Sequence, residues 1–354
     1  MATLLAGQSS RPTMSIEEYE PRSTLKVPEH PKTRAKFPFI DVHGHQRLLS
    51  DSGVDRLVRE MDAMNMGLMV NLSGSYGPAL VERVKNLKGR YPDRFVVFAN
   101  MPLNEVNRQD FGSYAAAQLE RDVRQGGAQG LKVFKELGMD IKDAAGKRIP
   151  VDDPRFDPVW DKCGELHIPV LIHTAEPSEF FKPIDKQNER WLELVTHPGR
   201  ARPPERYPSF DSLMAEQHRM FRKHPATTFI NAHLGWYGAD LGHLGALMDS
   251  LPNMVTELGA VIYDIGRQPR AAREFFVKYQ DRILMGKDSY AAQEYLTYFR
   301  IFETADEYFP YYRNYHAFWR MYGMELPDVV LRKVYYKNAI RIIPGIDAAR
   351  FPKM

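Results

Sequence analysis

From Phe37 onward, short apolar runs alternate with longer stretches whose apolar positions recur at three- and four-residue steps. The short runs read as strands, and the longer stretches as helices with one buried face. The strand-like runs are FPFIDVH (37–43), GLMVNLS (67–73), FVVFANM (95–101), GLKVFK (130–135), IPVLIHT (168–174), TTFINAH (227–233), MVTELGA (254–260) and ILMGKDS (283–289). Helical patterns such as DSGVDRLVREMDAMNM (51–66) and DSLMAEQHRMFRKHP (211–225) lie between them. Strands that are nearly all apolar and alternate with helices predict a parallel sheet covered on both faces. Eight such strands are the number that closes a barrel. An open doubly wound sheet would favour a Gly-rich phosphate turn after the first strand, and GHQRLLSDSG is a poor one. The expected fold is therefore α/β, a (β/α)8 TIM barrel over residues 37–345. An extended arm, 1–36, rich in Pro, Ser and charge, precedes it, and a tail, 346–354, follows.

Two stretches depart from the alternation. Residues 175–208, with EFFKPIDKQNERWLEL and then HPGRARPPERYP, make a long connection that on a barrel top would form a lid. Residues 290–322 are dense in Tyr, Phe and Trp. They read either as helix core with a subunit contact or as an aromatic wall beside a substrate. PDVVLRKVYYKNAIRIIPG (327–345) reads as a closing helix.

Charge narrows the partners. Lys plus Arg number 48 against 45 Asp plus Glu, for a formal charge of +3, and no long like-charge run occurs. Neither nucleic acid nor an acidic membrane surface is called for, and no apolar run approaches the ~20 residues of a membrane span. The partner expected is a small-molecule substrate, with homo-oligomerisation left open. The single cysteine, Cys163, excludes an internal disulfide and reads as a buried thiol. MATLLAGQSS lacks the basic start and long apolar core of a secretion signal. The cytoplasm is the expected compartment, with the periplasm as the alternative if this stretch is a signal remnant.

The candidate chemistry lies at the ends of the strands. Strand one runs Asp41-Val42-His43-Gly44-His45, strand five ends in His173, strand six in His233 and strand eight in Asp288; Lys132 lies within strand four. Burying such groups costs free energy unless something satisfies them. Alternation aims His43 and His45 the same way, and the C-terminal strand ends of a barrel converge on one opening. Imidazole nitrogens with one carboxylate oxygen suit Zn2+ or a similar divalent ion with a position left open for water. A metal is the economical reason for the pattern.

D-x-H-x-H on strand one, GLKVF on strand four, LIHT on strand five, NAHLG on strand six and MGKDS on strand eight resemble the amidohydrolase superfamily. More narrowly they resemble its amidohydrolase 2 branch, which includes aminocarboxymuconate-semialdehyde decarboxylase and several lactonases. VDDPRFDPVWDKCGELHIPVLIHT resembles that branch as well. The resemblance implies that His43, His45, His173 and Asp288 are the metal ligands. It places His233 beside the metal-bound water, as acid/base or as oxyanion stabiliser, and makes His233 and Asp288 the catalytic residues. Gly286-Lys287-Asp288 departs from the more usual Gly-Ser-Asp or Gly-Thr-Asp, and Lys287 is expected to point away from the barrel. One divalent ion is implied, Zn2+ or alternatively Mn2+. Two ions bridged by a carbamylated Lys132 are the less favoured arrangement, and a Lys132 contact with substrate or with a strand-end carboxylate is its rival. Lys135, of opposite parity, is expected to face the helices. Asp41 and Asn231 are expected to fix imidazole tautomers; Glu176, Arg267 and Tyr290 are candidates for substrate binding. The implied activity is metal-dependent hydrolysis of a lactone, ester or amide. Non-oxidative decarboxylation of a small aromatic or unsaturated acid is the alternative, since both use one Lewis acid.

Overall fold

The computed structural model describes residues 13–16, 18–316 and 318–353. Its centre is a ring of parallel strands: β1 (Phe39–Gly44), β2 (Met66–Asn71), β3 in two pieces (Phe95–Val97 and Ala99–Asn100), β4 (Leu131–Val133), β5 (Val170–Ile172), β6 (Phe229–Asn231), β7 (Met254–Glu257) and β8 (Ile283–Leu284). Each strand pairs in parallel with its successor, and the break in β3 falls at Phe98. The ring closes between β8 and β1. Val42 N–H donates to Met285 O (3.0 Å), Asp288 N–H donates to His43 O (2.7 Å), and Gly44 bridges Asp288 in parallel. This is the (β/α)8 barrel that the alternation predicts.

The helices cover the ring because each carries one apolar face. In α1 (Asp51–Met64), Val54, Leu57, Val58, Met61 and Met64 are buried. Ser50 caps that helix by accepting from Gly53 N–H, and Asn65 ends it in the left-handed region (φ 70°). After it come α2 (Gly77–Lys88), α3 (Phe111–Arg124), α4 (Asp157–Glu165), α5 (Phe210–Lys223), α6 (Leu241–Ser250), α7 (Pro269–Lys278) and α8 (Ala292–Glu303). Cys163 on α4 is buried. The closing helix over 328–342 widens into a π turn at Lys333–Lys337, where the Val334 carbonyl accepts Met285 N–H at 3.0 Å. That contact ends β8 early and frees residues 286–289 to form a turn at the mouth.

The two irregular stretches fold against each other over that mouth. Arg190, 5% exposed, bonds Glu193, donates to the Tyr263 hydroxyl (2.7 Å) and lies beside His316 Nε2 (3.3 Å). Tyr295, Tyr298, Phe299 and Phe302 form the buried face of α8, so these aromatics are helix core. Upstream of the barrel, His30 bonds Asp306 and Lys36 N–H bonds Glu303. No helix among the described residues is long and apolar enough to cross a membrane.

Candidate active site

The ends of β1 and β8 are tied together beneath the mouth by Asp41. Its Oδ1 accepts from His43 N–H (2.9 Å) and Lys287 N–H (3.1 Å), and its Oδ2 accepts from the Tyr295 hydroxyl. Burial raises the Asp41 carboxyl to about 6, against these donors. Asp41 thus holds backbone rather than an imidazole. Asn231 does not orient one either, since its amide contacts Met254 Sδ. The tautomer-fixing role expected of this pair belongs to Glu257.

Glu257 is fully buried at the end of β7. Its Oε1 accepts from His43 Nδ1–H (2.9 Å) and His233 N–H (2.7 Å), and its Oε2 accepts from Gly259 N–H (2.6 Å). Two glycines make room for it: a Cβ on Gly286 would lie 2.2 Å, and one on Gly259 2.9 Å, from Oε2. With Nδ1 protonated, His43 presents a bare Nε2. His45 does the same when Nδ1–H donates to Ser73 Oγ at 2.9 Å. These nitrogens lie 3.9 and 3.6 Å from Asp288 Oδ1. Donors about 2.1 Å from a tetrahedral ion lie about 3.4 Å apart, so the separations fit a divalent cation. Burial, and then Lys132, pulls His43 well below its usual range and His45 to about 4, which keeps both imidazoles neutral. Burial opposes the charge on Asp288, while His43, His233, His45 and Lys132 lie around it and lower the carboxyl below the usual carboxylate range; with the imidazoles neutral, the Lys132 ammonium is the net positive charge among these four.

His173 stands apart. Among the described residues, two groups bring three donors within 4.8 Å, His43–His45–Asp288 and His43–His233–Glu257, and His173 is in neither. Its Nδ1 lies 3.2 Å from His233 Nε2 instead. His233 Nδ1–H donates to Gly259 O (2.7 Å), so His233 Nε2 accepts and His173 Nδ1 donates. The remaining His173 Nε2 is a bare lone pair, buried and without a hydrogen-bond partner, as a ligand nitrogen would be. The expected fourth ligand therefore has the right tautomer, yet it faces His233 rather than the three converging donors.

His233 owes its position to a turn that sequence patterning does not anticipate. Residues 233–236 all have positive φ (59°, 54°, 59° and 60°), a left-handed turn that costs roughly 1–2 kcal/mol for each residue bearing a side chain. The turn stacks Trp236 on His233, with ring centroids 4.4 Å apart, and Trp236 Nε1–H donates to Thr174 O (3.1 Å). Ala175, Ala260 and Asp288, at three other strand ends, also have positive φ. Strain concentrated at one end of a barrel points to a functional site.

Lys132 lies inside the barrel, 1% exposed, and its ammonium has no hydrogen-bond partner. Burial lowers it to about 8. Glu176 reaches the mouth, where Lys135 and Arg202 both pair with it and His173 Nε2 lies 3.9 Å away. Lys135 therefore faces the mouth, contrary to its expected parity, because the chain leaves strand geometry after Val133. Lys287 turns away from the converging donors, to Glu294 and Ser289 O. Arg267 and Tyr290 are not brought to the site. Arg267 pairs with Glu189 and Asp264 and stacks on Trp319, while Tyr290 donates to Glu60 on α1.

A family model described as "Amidohydrolase" matches residues 78–345, a span that begins after β2 and so leaves out His43 and His45. No curated protein matches the chain. Among solved structures, 2,6-dihydroxybenzoate decarboxylase complexed with 2,6-dihydroxybenzoate is similar at a TM-score of 0.56 and 16% identity, over 86% of this chain and 99% of that one. Dihydroxybenzoic acid decarboxylase from a Polaromonas species, with bound manganese and the inhibitor 2-nitroresorcinol, reaches 0.57 at 15% identity over 89% and 99%. 4-Oxalomesaconate hydratase from Rhodopseudomonas palustris reaches 0.52 at 14% over 88% and 97%. At these identities the likeness is one of fold.

Proposed function

The chain belongs to the amidohydrolase family, and from that premise we propose that it is a metal-dependent hydrolase of a small-molecule lactone, ester or amide. The observation that carries this reading is Asp288: a carboxylate with one oxygen 3.6 and 3.9 Å from two bare imidazole nitrogens. His43, His45 and Asp288 would hold the ion, Zn2+ by donor type or Mn2+, and His173 would join them by a ring movement that brings its bare Nε2 toward them. In such a setting a divalent ion supplies a water acidified toward a pKa of about 7 and a polarised carbonyl.

The chain's own groups then divide the work. Asp288 accepts the proton of the attacking water and returns it to the leaving group. His233 is held by Glu257, Gly259 and Trp236, which leaves its neutral Nε2 as an acceptor able to exchange a proton beside the donors. Glu257 fixes His43 in the tautomer that leaves Nε2 free.

One observation favours a second reading, non-oxidative decarboxylation. His43, His233 and Lys132 are at most 1% exposed, and exclusion of water assists loss of CO2 from a carboxylate. The test is to assay protein of measured metal content against lactones, esters, amides and aromatic acids. Acid release from a lactone, ester or amide, lost on chelation and restored by metal, supports hydrolysis. CO2 release from the acids with the other substrates inert would overturn it in favour of the lyase.

A further inference from the structure

We propose that Lys132 is the docking charge for a carboxylate carried by the substrate. The residue sits in β4, paired with Asn100 of β3 on one side and Leu171 of β5 on the other, so its stem rises from the barrel wall rather than from a loop. One residue further on, the Val133 carbonyl accepts from His173 N–H at 3.0 Å, which places Lys132 just below the histidine of β5. Its ammonium lies 5.3 Å from the centre of the Phe134 ring, and that ring is 5.8 Å from the imidazole of His45. Lysine, aromatic ring and candidate ligand thus line one wall of the site.

What marks Lys132 is the lack of an acceptor. A buried ammonium normally has a carboxylate partner, and the carboxylates of this site are engaged elsewhere. Asp41 is taken up by His43 N–H, Lys287 N–H and the Tyr295 hydroxyl. Glu257 is taken up by His43, His233 and Gly259, and Glu176 by Lys135 and Arg202; Asp288, the leading countercharge to Lys132 ahead of Glu257, faces His43 and His45 and makes no hydrogen bond to Lys132. Among the described residues none accepts a hydrogen bond from Lys132 Nζ. The fold therefore keeps a cation ready beside the reacting groups, and what it lacks is an anion in direct hydrogen-bond contact. A single ammonium suits a singly charged carboxylate better than a phosphate, which takes several donors.

The proposal rests on this mouth being the substrate site, and the experiment separates the two. Metal-loaded protein is titrated calorimetrically with acetate and benzoate, and with acetamide and benzamide as neutral controls, while elemental analysis counts metal per chain. Wild type is expected to bind the carboxylates at least tenfold more tightly than the amides. Lys132→Met is expected to lose that preference with its metal count unchanged, and Lys132→Arg to keep it. Equal binding of acids and amides by wild type, or an undiminished preference in Lys132→Met, overturns the proposal. Two ions per chain falling to one in Lys132→Met would also overturn it, because the lysine would then bridge metals. Should Lys132→Met fail to fold by circular dichroism, wild type and Lys132→Arg decide. Lysine-dependent binding of acids without turnover of any substrate would leave docking intact and remove the hydrolase reading. Hydrolysis of neutral lactones that Lys132→Met leaves untouched would do the reverse.

Discussion

Replacing Glu257 with glutamine keeps size and shape and changes one acceptor into a donor. The carboxylate accepts three N–H groups: His43 Nδ1 and His233 N on Oε1, and Gly259 N on Oε2 at 2.6 Å. If the amide oxygen takes the Oε1 position, the new NH2 meets Gly259 N–H donor to donor. No side chain can yield there, since even a Cβ on Gly286 would stand 2.2 Å from Oε2. If the amide is reversed, the NH2 meets His233 N–H donor to donor and also meets His43 Nδ1, driving that proton to Nε2, which removes the lone pair facing Asp288. The first arrangement leaves a buried N–H unpaired, at a cost of about 1–3 kcal/mol. The second removes the partner that orients a ligand imidazole, which typically lowers metal affinity 10–100-fold, or about 1.4–2.7 kcal/mol. Denaturant unfolding of the apo protein and metal affinity by chelator competition separate the two. Glu257→Gln is expected to lose stability, metal affinity or both by these amounts. A variant within about 0.5 kcal/mol of wild type, binding metal equally well, would refute the role given to Glu257.

Asp288→Asn removes the proposed base, and turnover should fall about 10²–10⁴-fold in single-turnover assays of enzyme whose metal content is matched to wild type. Tyr295→Phe takes a hydroxyl from the buried Asp41 carboxylate and should cost about 1.5–3 kcal/mol in urea unfolding. Glu193 tests the packing over the mouth. Burial opposes its charge, but His316 and Arg190 outweigh burial and hold the carboxyl below its ordinary value of 4.5. A depressed carboxyl contributes stability that is full above that value and lost as pH falls through it toward the folded-state value. The gap in melting temperature between wild type and Glu193→Gln should therefore be largest near pH 7 and shrink toward pH 3; a gap independent of pH would remove the ion pair from the account.

Most of the barrel could be read from the chain because its strands are buried on both faces and stand out as apolar runs. Their ends could not. ILMGKDS reads as seven residues of strand, but only Ile283–Leu284 pair as one, because the Val334 carbonyl and the Asp41 carboxylate take the next backbone groups. His43, His45 and Asp288 were legible from parity and strand-end position, which are local properties. The orientation of His173 depends on His233, sixty positions away and set by a left-handed turn that patterning does not signal. Glu257 was overlooked although MVTELGA carries the clue: an ionisable residue inside an apolar run, two positions before a glycine that leaves it room. Arg267 and Tyr290 sit near strand ends in sequence, but the fold of residues 175–208 and the surface of α1 claim them first.

The central claim is that side chains from both ends of the chain meet around one divalent cation. Elemental analysis of protein purified without added metal, alongside His43→Ala and Asp288→Ala, tests it most directly. The account predicts about one equivalent of divalent metal in wild type and far less in either variant, with all three folded. Metal-free wild type that cannot be loaded, or variants that keep a full equivalent, would contradict it.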